Sequence, residues 1–135
     1  MPQHITKSAM SMVEAAKREL EEIEAADAVK LVGRDDVVLV DIRDVRELAR
    51  DGKVPGAVHA PRGMLEFWID PVSPYFKPVF GQDKQYVFFC AGGLRSALAA
   101  KTAQDMGLKP VAHILGGFGA WKKAGGPVEA ADDKK

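Results

Sequence analysis

No second cysteine accompanies Cys90, so an internal disulfide framework is excluded. A lone thiol fits a reducing compartment, and the cytoplasm is the expected location. A secretory leader is not visible either, because Met1-Pro2-Gln3-His4-Ile5-Thr6-Lys7 lacks a basic region followed by an apolar core. No apolar run approaches the roughly 18–20 residues needed to span a bilayer, which leaves no membrane partner. Net charge is absent as well, since 19 basic residues balance 19 acidic ones. That balance argues against nucleic acid as a partner. His4, His59 and His113 show no ligand-type spacing with one another or with Cys90. Neither a metal nor another cofactor is expected.

What is present has the composition of a soluble globular chain, 47% apolar and 28% charged. A length of 135 residues suits one domain with a proper core. Ser11-Met12-Val13-Glu14 has the spacing of a capping box, and Met12, Ala15, Ala16, Glu19, Leu20 and Ile23 continue at helical spacing. A second short helix is predicted over 24–31, ending at Gly33. Strands are predicted over 37–42, 58–60, 85–89 and 111–115, and further helices over 45–49, 63–70, 96–106 and 118–123. Prolines at 71, 74 and 78 mark an irregular connection. Strands alternating with helices imply an α/β layer architecture with a mostly parallel sheet. Ligands then bind outside the carboxyl ends of the strands. The expected organisation is a helical segment over 1–33, a catalytic domain over 34–128 and a flexible tail over 129–135. The first segment either packs on the sheet or forms a dimer contact.

Cys90 falls at such a carboxyl end. The apolar run Val87-Phe88-Phe89 stops there, Ala91-Gly92-Gly93-Leu94-Arg95 follows, and a helix-forming run begins near Ser96. A helix N-terminus presents unpaired N–H groups and a dipole that favour an anion, and such settings favour a thiolate. Gly92 and Gly93 let the backbone turn its amides inwards. A small buried hydrophobe is the plain alternative for a lone cysteine. Arg95 and Ser96 are costly choices for a merely structural turn, so reactivity is the better reading. Arg95 either orients a charged substrate or fixes the loop through an ion pair. Ser96 is expected to cap the following helix. Asp41 is expected to accept loop hydrogen bonds, and Arg43 to pair with Glu47 across a helix start. His59 reads as a hydrogen-bonded core or edge residue. Phe67, Trp68, Tyr75, Phe76 and Phe80 are core by default, with some placed to roof the pocket, and Trp121 is expected in the core.

Four stretches in order carry a family likeness: Asp41-Ile42-Arg43 with Glu47; 52–61, Gly-Lys-Val-Pro-Gly-Ala-Val-His-Ala-Pro; Cys90 through Ser96; and Leu115-Gly116-Gly117 with Trp121 and Gly125-Gly126-Pro127-Val128. The chain resembles a single-domain rhodanese over residues 35–130. Lys53 departs from the family's usual histidine, on an expected surface turn. The resemblance implies a rhodanese-like three-layer fold, with a central five-stranded parallel sheet flanked by helices. It matches Cys90 to the family's catalytic cysteine and Ala91, Gly92, Gly93, Leu94, Arg95 and Ser96 to its substrate-binding loop, with Asp41, Arg43 and Glu47 as structural support. Family members take a sulfane sulfur from thiosulfate or a similar donor, hold it as a cysteine persulfide, and pass it to cyanide or a thiol. The implied partners are therefore a small anionic sulfur donor and a thiol or cyanide acceptor, a protein thiol included.

Two other readings stay open. Cysteine-dependent phosphatases and arsenate reductases also use a cysteine and an arginine in a strand-loop-helix cradle. As a family those phosphatases place five residues between the two, whereas Ala91-Gly92-Gly93-Leu94 make four. A shorter ring suits a single outer sulfur better than a tetrahedral phosphoryl group. The third reading is a non-enzymatic persulfide carrier or sensor.

Overall fold

Val37-Val38-Leu39-Val40 and Tyr86-Val87-Phe88-Phe89 are apolar at every position. Successive strand residues point to opposite faces, so both faces of the sheet must be covered. The computed structural model describes residues 2–131 and meets that demand with a three-layer α/β arrangement. In chain order the elements are α1 (Ala9–Glu19), β1 (Glu21–Ile23), α2 (Ala25–Val29), β2 (Val37–Asp41), α3 (Val45–Asp51) and β3 (Val58–His59). They continue with α4 (Leu65–Ile69), β4 (Gln85–Phe89), α5 (Leu94–Met106), β5 (Val111–Ile114) and α6 (Gly117–Lys123). The five strands are all parallel, in the order β1-β5-β4-β2-β3.

The side-chain alternation sorts the core into two layers. Val38, Val40, Tyr86, Phe88 and Cys90 pack with Val13, Ala16, Leu65 and Ala100 from α1, α4 and α5. Leu39, Val87, Phe89, Ala112 and Ile114 pack with Ala25, Ala28, Phe118 and Trp121 from α2 and α6. Cys90 therefore continues the alternation of Tyr86 and Phe88 towards the α5 side. The face that α5 buries holds Ser96, Ala97, Ala99, Ala100 and Ala103, small side chains that let it lie close to the sheet and to α1.

The N-terminal segment differs from the sequence expectation. The helix stops at Glu19, and Glu21, Glu22 and Ile23 pair in register with Ala112, His113 and Ile114. Three residues are too few for a strand period to show, and Ile23 also fits the preceding helical spacing. The cap shifts too: Ser8, not Ser11, closes the N-terminus, its Oγ accepting the Ser11 N–H at 3.0 Å. The expected tail begins with a fixed residue, because Lys53 and Glu129 exchange backbone hydrogen bonds of 2.9 Å in both directions. The rest of that expectation, over 132–135, lies outside the described residues. Among the surface aromatics, Phe80 is buried, whereas Phe67 and Tyr75 are exposed and meet edge to face at 6.4 Å.

An edge strand and a core helix in the first 23 residues make this segment part of the fold. A chain beginning at residue 34 is expected to lose cooperative unfolding, measured by circular dichroism in urea. A single transition at the full chain's midpoint would instead support a domain boundary at 33.

Candidate active site

The end of β4 delivers Cys90 to the sheet's carboxyl edge, and the next residues fold back over it. Cys90 is 1% exposed. The Gly93 N–H donates to Cys90 Sγ at 3.1 Å and the Ser96 N–H at 3.3 Å. Gly93 makes this turn with φ +100°, a left-handed conformation that other residues reach only at a steric cost, and α5 begins directly after it. Ala91 and Gly92, exposed beside the sulfur, have N–H groups with no backbone acceptor among the described residues. The first turn of α5 adds the N–H groups of Leu94 and Arg95, which have no partner within the helix. The loop thus sets two donors on one sulfur and leaves further N–H groups free nearby, an arrangement suited to a sulfur anion.

A second loop sets where that sulfur points. Phe118 N–H donates to the Cys90 carbonyl at 2.7 Å, and Gly119 N–H to the Ala91 carbonyl at 3.1 Å. The approach is close enough that a Cβ on Gly117 would lie 2.4 Å from the Cys90 carbonyl oxygen. Gly117 also has φ +60°. The Gly116-Gly117 pair belongs to the motif set of the resemblance, but its task of clamping the cysteine loop was not legible in the sequence.

Charges around the loop are paired side by side. Arg95 Nη1 and Nη2 donate to Glu47 Oε1 and Oε2 at 2.8 and 2.9 Å, a bidentate clamp from α5 to α3. The Asp44 N–H adds a bond to Glu47 Oε1 at 3.0 Å. The Arg95 guanidinium first, and then that N–H, outweigh burial and hold the Glu47 carboxyl down to about 2, from 4.5. Arg95 is held above its ordinary value by Glu47 and, less strongly, by the Cys90 sulfur. Of the two roles expected for Arg95, the loop-fixing ion pair is the one formed here.

Arg43 does not pair with Glu47. Its guanidinium grips Asp41 instead, with Nε 3.0 Å from Oδ1 and Nη2 2.8 Å from Oδ2, and both residues are buried. The residues are two apart at the end of β2, so the pair closes locally before Glu47 is within reach. The remaining capacity of Arg43 goes to the Gly52 carbonyl at 2.9 Å and to the face of Phe118, 4.1 Å from its ring centre. Asp41 accepts the Arg43 N–H at 3.0 Å, so its loop hydrogen bonds are those of the 41–43 turn. His59 Nε2 lies 2.7 Å from the Arg43 carbonyl, the hydrogen-bonded edge role expected of it. Trp121 is in the core, with Nε1 donating to the Pro127 carbonyl at 2.9 Å.

Ser96 corrects another expectation. Gly93 holds the cap position, so Ser96 is the third residue of α5 and fully buried. Its hydroxyl lies 3.1 Å from His113 Nδ1. A histidine inside an otherwise apolar strand run carried no visible partner in the sequence, and this contact was missed.

The geometry has the features of a known family. A model of the rhodanese-like domain matches residues 24–124, and the chain belongs to that family. It is 33% identical over 105 residues to a candidate sulfurtransferase of Bacillus subtilis, covering 77% of this chain and 92% of that one. It is 32% identical over 98 residues to the mouse thiosulfate sulfurtransferase/rhodanese-like domain-containing protein 3, covering 67% of this chain and 61% of that one. The chain thus spans about three fifths of the mouse protein's length. Among solved structures, a Rhodopseudomonas palustris protein of unknown function, described as a possible tyrosine phosphatase, superposes with a TM-score of 0.93 at 65% identity. That match covers 96% of this chain and 99% of the other.

Two outcomes test this site. Gly117→Ala is expected to cost about 1–3 kcal/mol by forcing the two loops apart, read as a lower urea midpoint; an unchanged midpoint would refute the clamp. Because its folded value is depressed, Glu47 contributes stability that is complete above pH 4.5 and is lost as pH falls towards about 2. Glu47→Gln should flatten that part of the acid-unfolding curve relative to the parent chain, while parallel curves would contradict it.

Proposed function

We propose that this chain is a sulfurtransferase that moves a sulfane sulfur from thiosulfate or a similar donor to a thiol or cyanide through a Cys90 persulfide. The observation that carries this is the Cys90 sulfur receiving the N–H groups of Gly93 and Ser96 at the start of α5. In the first step the Cys90 thiolate attacks the outer sulfur of thiosulfate. The sulfur–sulfur bond of the donor breaks, its electron pair leaves with sulfite, and Cys90 keeps a terminal sulfur bearing one negative charge. In the second step a thiolate or cyanide attacks that terminal sulfur, forming a persulfide or thiocyanate and returning the Cys90 thiolate. Both resting states are anions of one or two sulfur atoms, and fixed peptide dipoles suit both without reorganising.

The phosphatase reading has the description of the Rhodopseudomonas palustris protein in its favour. Two features weigh against it. Only four residues separate Cys90 from Arg95, and the Arg95 guanidinium is occupied by Glu47 at 2.8 and 2.9 Å. A phosphoryl group would have to compete with a carboxylate for the same fork of donors.

Intact mass after incubation with thiosulfate is the test. The parent chain is expected to gain one sulfur atom and to lose it on adding a thiol, and Cys90→Ser to gain none. Thiocyanate should form from thiosulfate and cyanide, with no hydrolysis of an aryl phosphate. Phosphate release without sulfur uptake would replace this reading with the phosphatase one.

A further inference from the structure

Behind the sulfur loop a line of polar side chains crosses the protein from its interior to the sheet edge. Ser96 Oγ is 3.1 Å from His113 Nδ1, and His113 Nε2 is 2.9 Å from Glu22 Oε2. Lys17 Nζ reaches the same Glu22 oxygen at 3.4 Å. Ser96 and His113 are fully buried, whereas the Glu22 and Lys17 side chains are 26% and 38% exposed. The line thus links α5, β5, β1 and α1.

A buried imidazole between apolar neighbours Val111, Ala112 and Ile114 is an expensive residue unless both nitrogens are satisfied. Here both are. Burial pushes the Glu22 carboxyl up, but hydrogen bonds from His113 and Lys17 outweigh it and hold the group below its ordinary value. An ionised Glu22 needs a hydrogen on His113 Nε2, which leaves Nδ1 as the atom that meets the Ser96 hydroxyl. Ser96 then has two attachments: its side chain is tied to β5, and its backbone N–H points at Cys90 Sγ, 3.3 Å away. Turning α5 about its axis would move that N–H off the sulfur, and the tie to His113 resists the turn.

We propose that His113 is a positioning residue for the sulfur site, fixing the Ser96 N–H on Cys90 Sγ through the Ser96 hydroxyl and being itself fixed by Glu22 and Lys17. The proposal rests on the reading of Cys90 as the sulfur-bearing nucleophile. It also assigns a task to the N-terminal segment, because Glu22 and Lys17 lie outside the 24–124 stretch matched by the family model.

The two nitrogens of the ring can be tested apart. An asparagine amide occupies the place of Nδ1, and a glutamine amide that of Nε2. His113→Asn keeps a partner for Ser96, while His113→Gln keeps one for Glu22 and loses Ser96. Two rates are read on the full chain: Cys90 alkylation by iodoacetamide, and single-turnover sulfur uptake from thiosulfate followed by mass. His113→Gln and Ser96→Ala should slow both by about ten-fold, less than the roughly 10²–10³-fold of deleting a donor outright. The thiosulfate concentration that half-saturates uptake should stay the same. His113→Asn should remain within about two-fold of the parent, set against that donor loss. Equal losses in His113→Asn and His113→Gln would mean that the ring acts by packing alone, and the proposal would fail. It would fail equally if Ser96→Ala, which keeps the helix backbone, left both rates unchanged. A parent chain that takes up no sulfur, but whose variants keep this order in alkylation, would sink the sulfurtransferase reading and leave the positioning role standing.

Discussion

A sulfur anion held just beneath a protein surface needs donors that cannot swing away from it. In this chain those donors are peptide N–H groups, and peptide groups are only as fixed as the loops that carry them. The constraint on which the site depends is therefore the contact between the loop after β4 and the loop after β5. With no Cβ on Gly117, the N–H groups of Phe118 and Gly119 come within 2.7 and 3.1 Å of the carbonyls of Cys90 and Ala91. Those bonds fix the two peptide planes that follow Cys90, and the Ile42 N–H on the Phe89 carbonyl at 3.1 Å fixes the one before it, so the direction of the Cys90 side chain is set from both sides. Phe118 is held in turn by the Arg43 guanidinium on its ring, and Arg43 by Asp41 and the Gly52 carbonyl. A displacement anywhere along this line reaches the sulfur.

Each arginine at this end of the sheet is bound to a carboxylate before any substrate arrives. Asp41 and Arg43 form a buried pair, and removing one partner of such a pair leaves an uncompensated charge at a cost of about 3–5 kcal/mol. Arg95 and Glu47 are paired at the rim, with the Arg95 side chain 45% exposed. Pairing cancels most of the field that a free guanidinium would send to Cys90. What the sulfur receives is chiefly the short-range field of oriented peptides, from the Gly93 and Ser96 N–H groups, beside a weaker attraction to Arg95. Peptide donors fixed on one sulfur atom suit a charge carried on that atom or the next, which is the basis of the sulfurtransferase reading proposed above. This bears on the sulfur-or-phosphate question more directly than overall similarity does, because one fold hosts unrelated chemistries.

Most of the architecture was legible because the strands announce themselves. The runs ending at Asp41 and Phe89 are apolar on both faces, and glycine follows the helix that ends at Met106. Cys90 and its loop were equally plain, since a strand, a glycine turn and a helix start leave little choice of geometry. The misreadings share one cause: each concerned a partner remote in sequence, or a choice between near neighbours. Arg43 had Asp41 and Glu47 on either side, and the shorter reach won. Ser96 looked like a cap because serine favours that position, yet Gly93 with its positive φ began the helix first. Nothing local tied His113 to Ser96, seventeen residues away, or Glu22 to His113, ninety-one away. β1 was hidden because three residues carry no period.

The edge strand also explains why the N-terminal segment cannot be an ornament on a complete domain. Without β1, the backbone of β5 on that side would lose its partners, and Glu21, Glu22 and Ile23 supply them. Without α1, the alanine face of α5 would lose Val13 and Ala16, apolar side chains whose burial is worth about 25 cal/mol for each Å². An α5 left uncovered on that side would be free to shift against the sheet. Its first turn carries the Ser96 N–H, so the Cys90 sulfur would feel the shift. Packing energy spent far from Cys90 is in this way part of what keeps the Ser96 N–H on its sulfur.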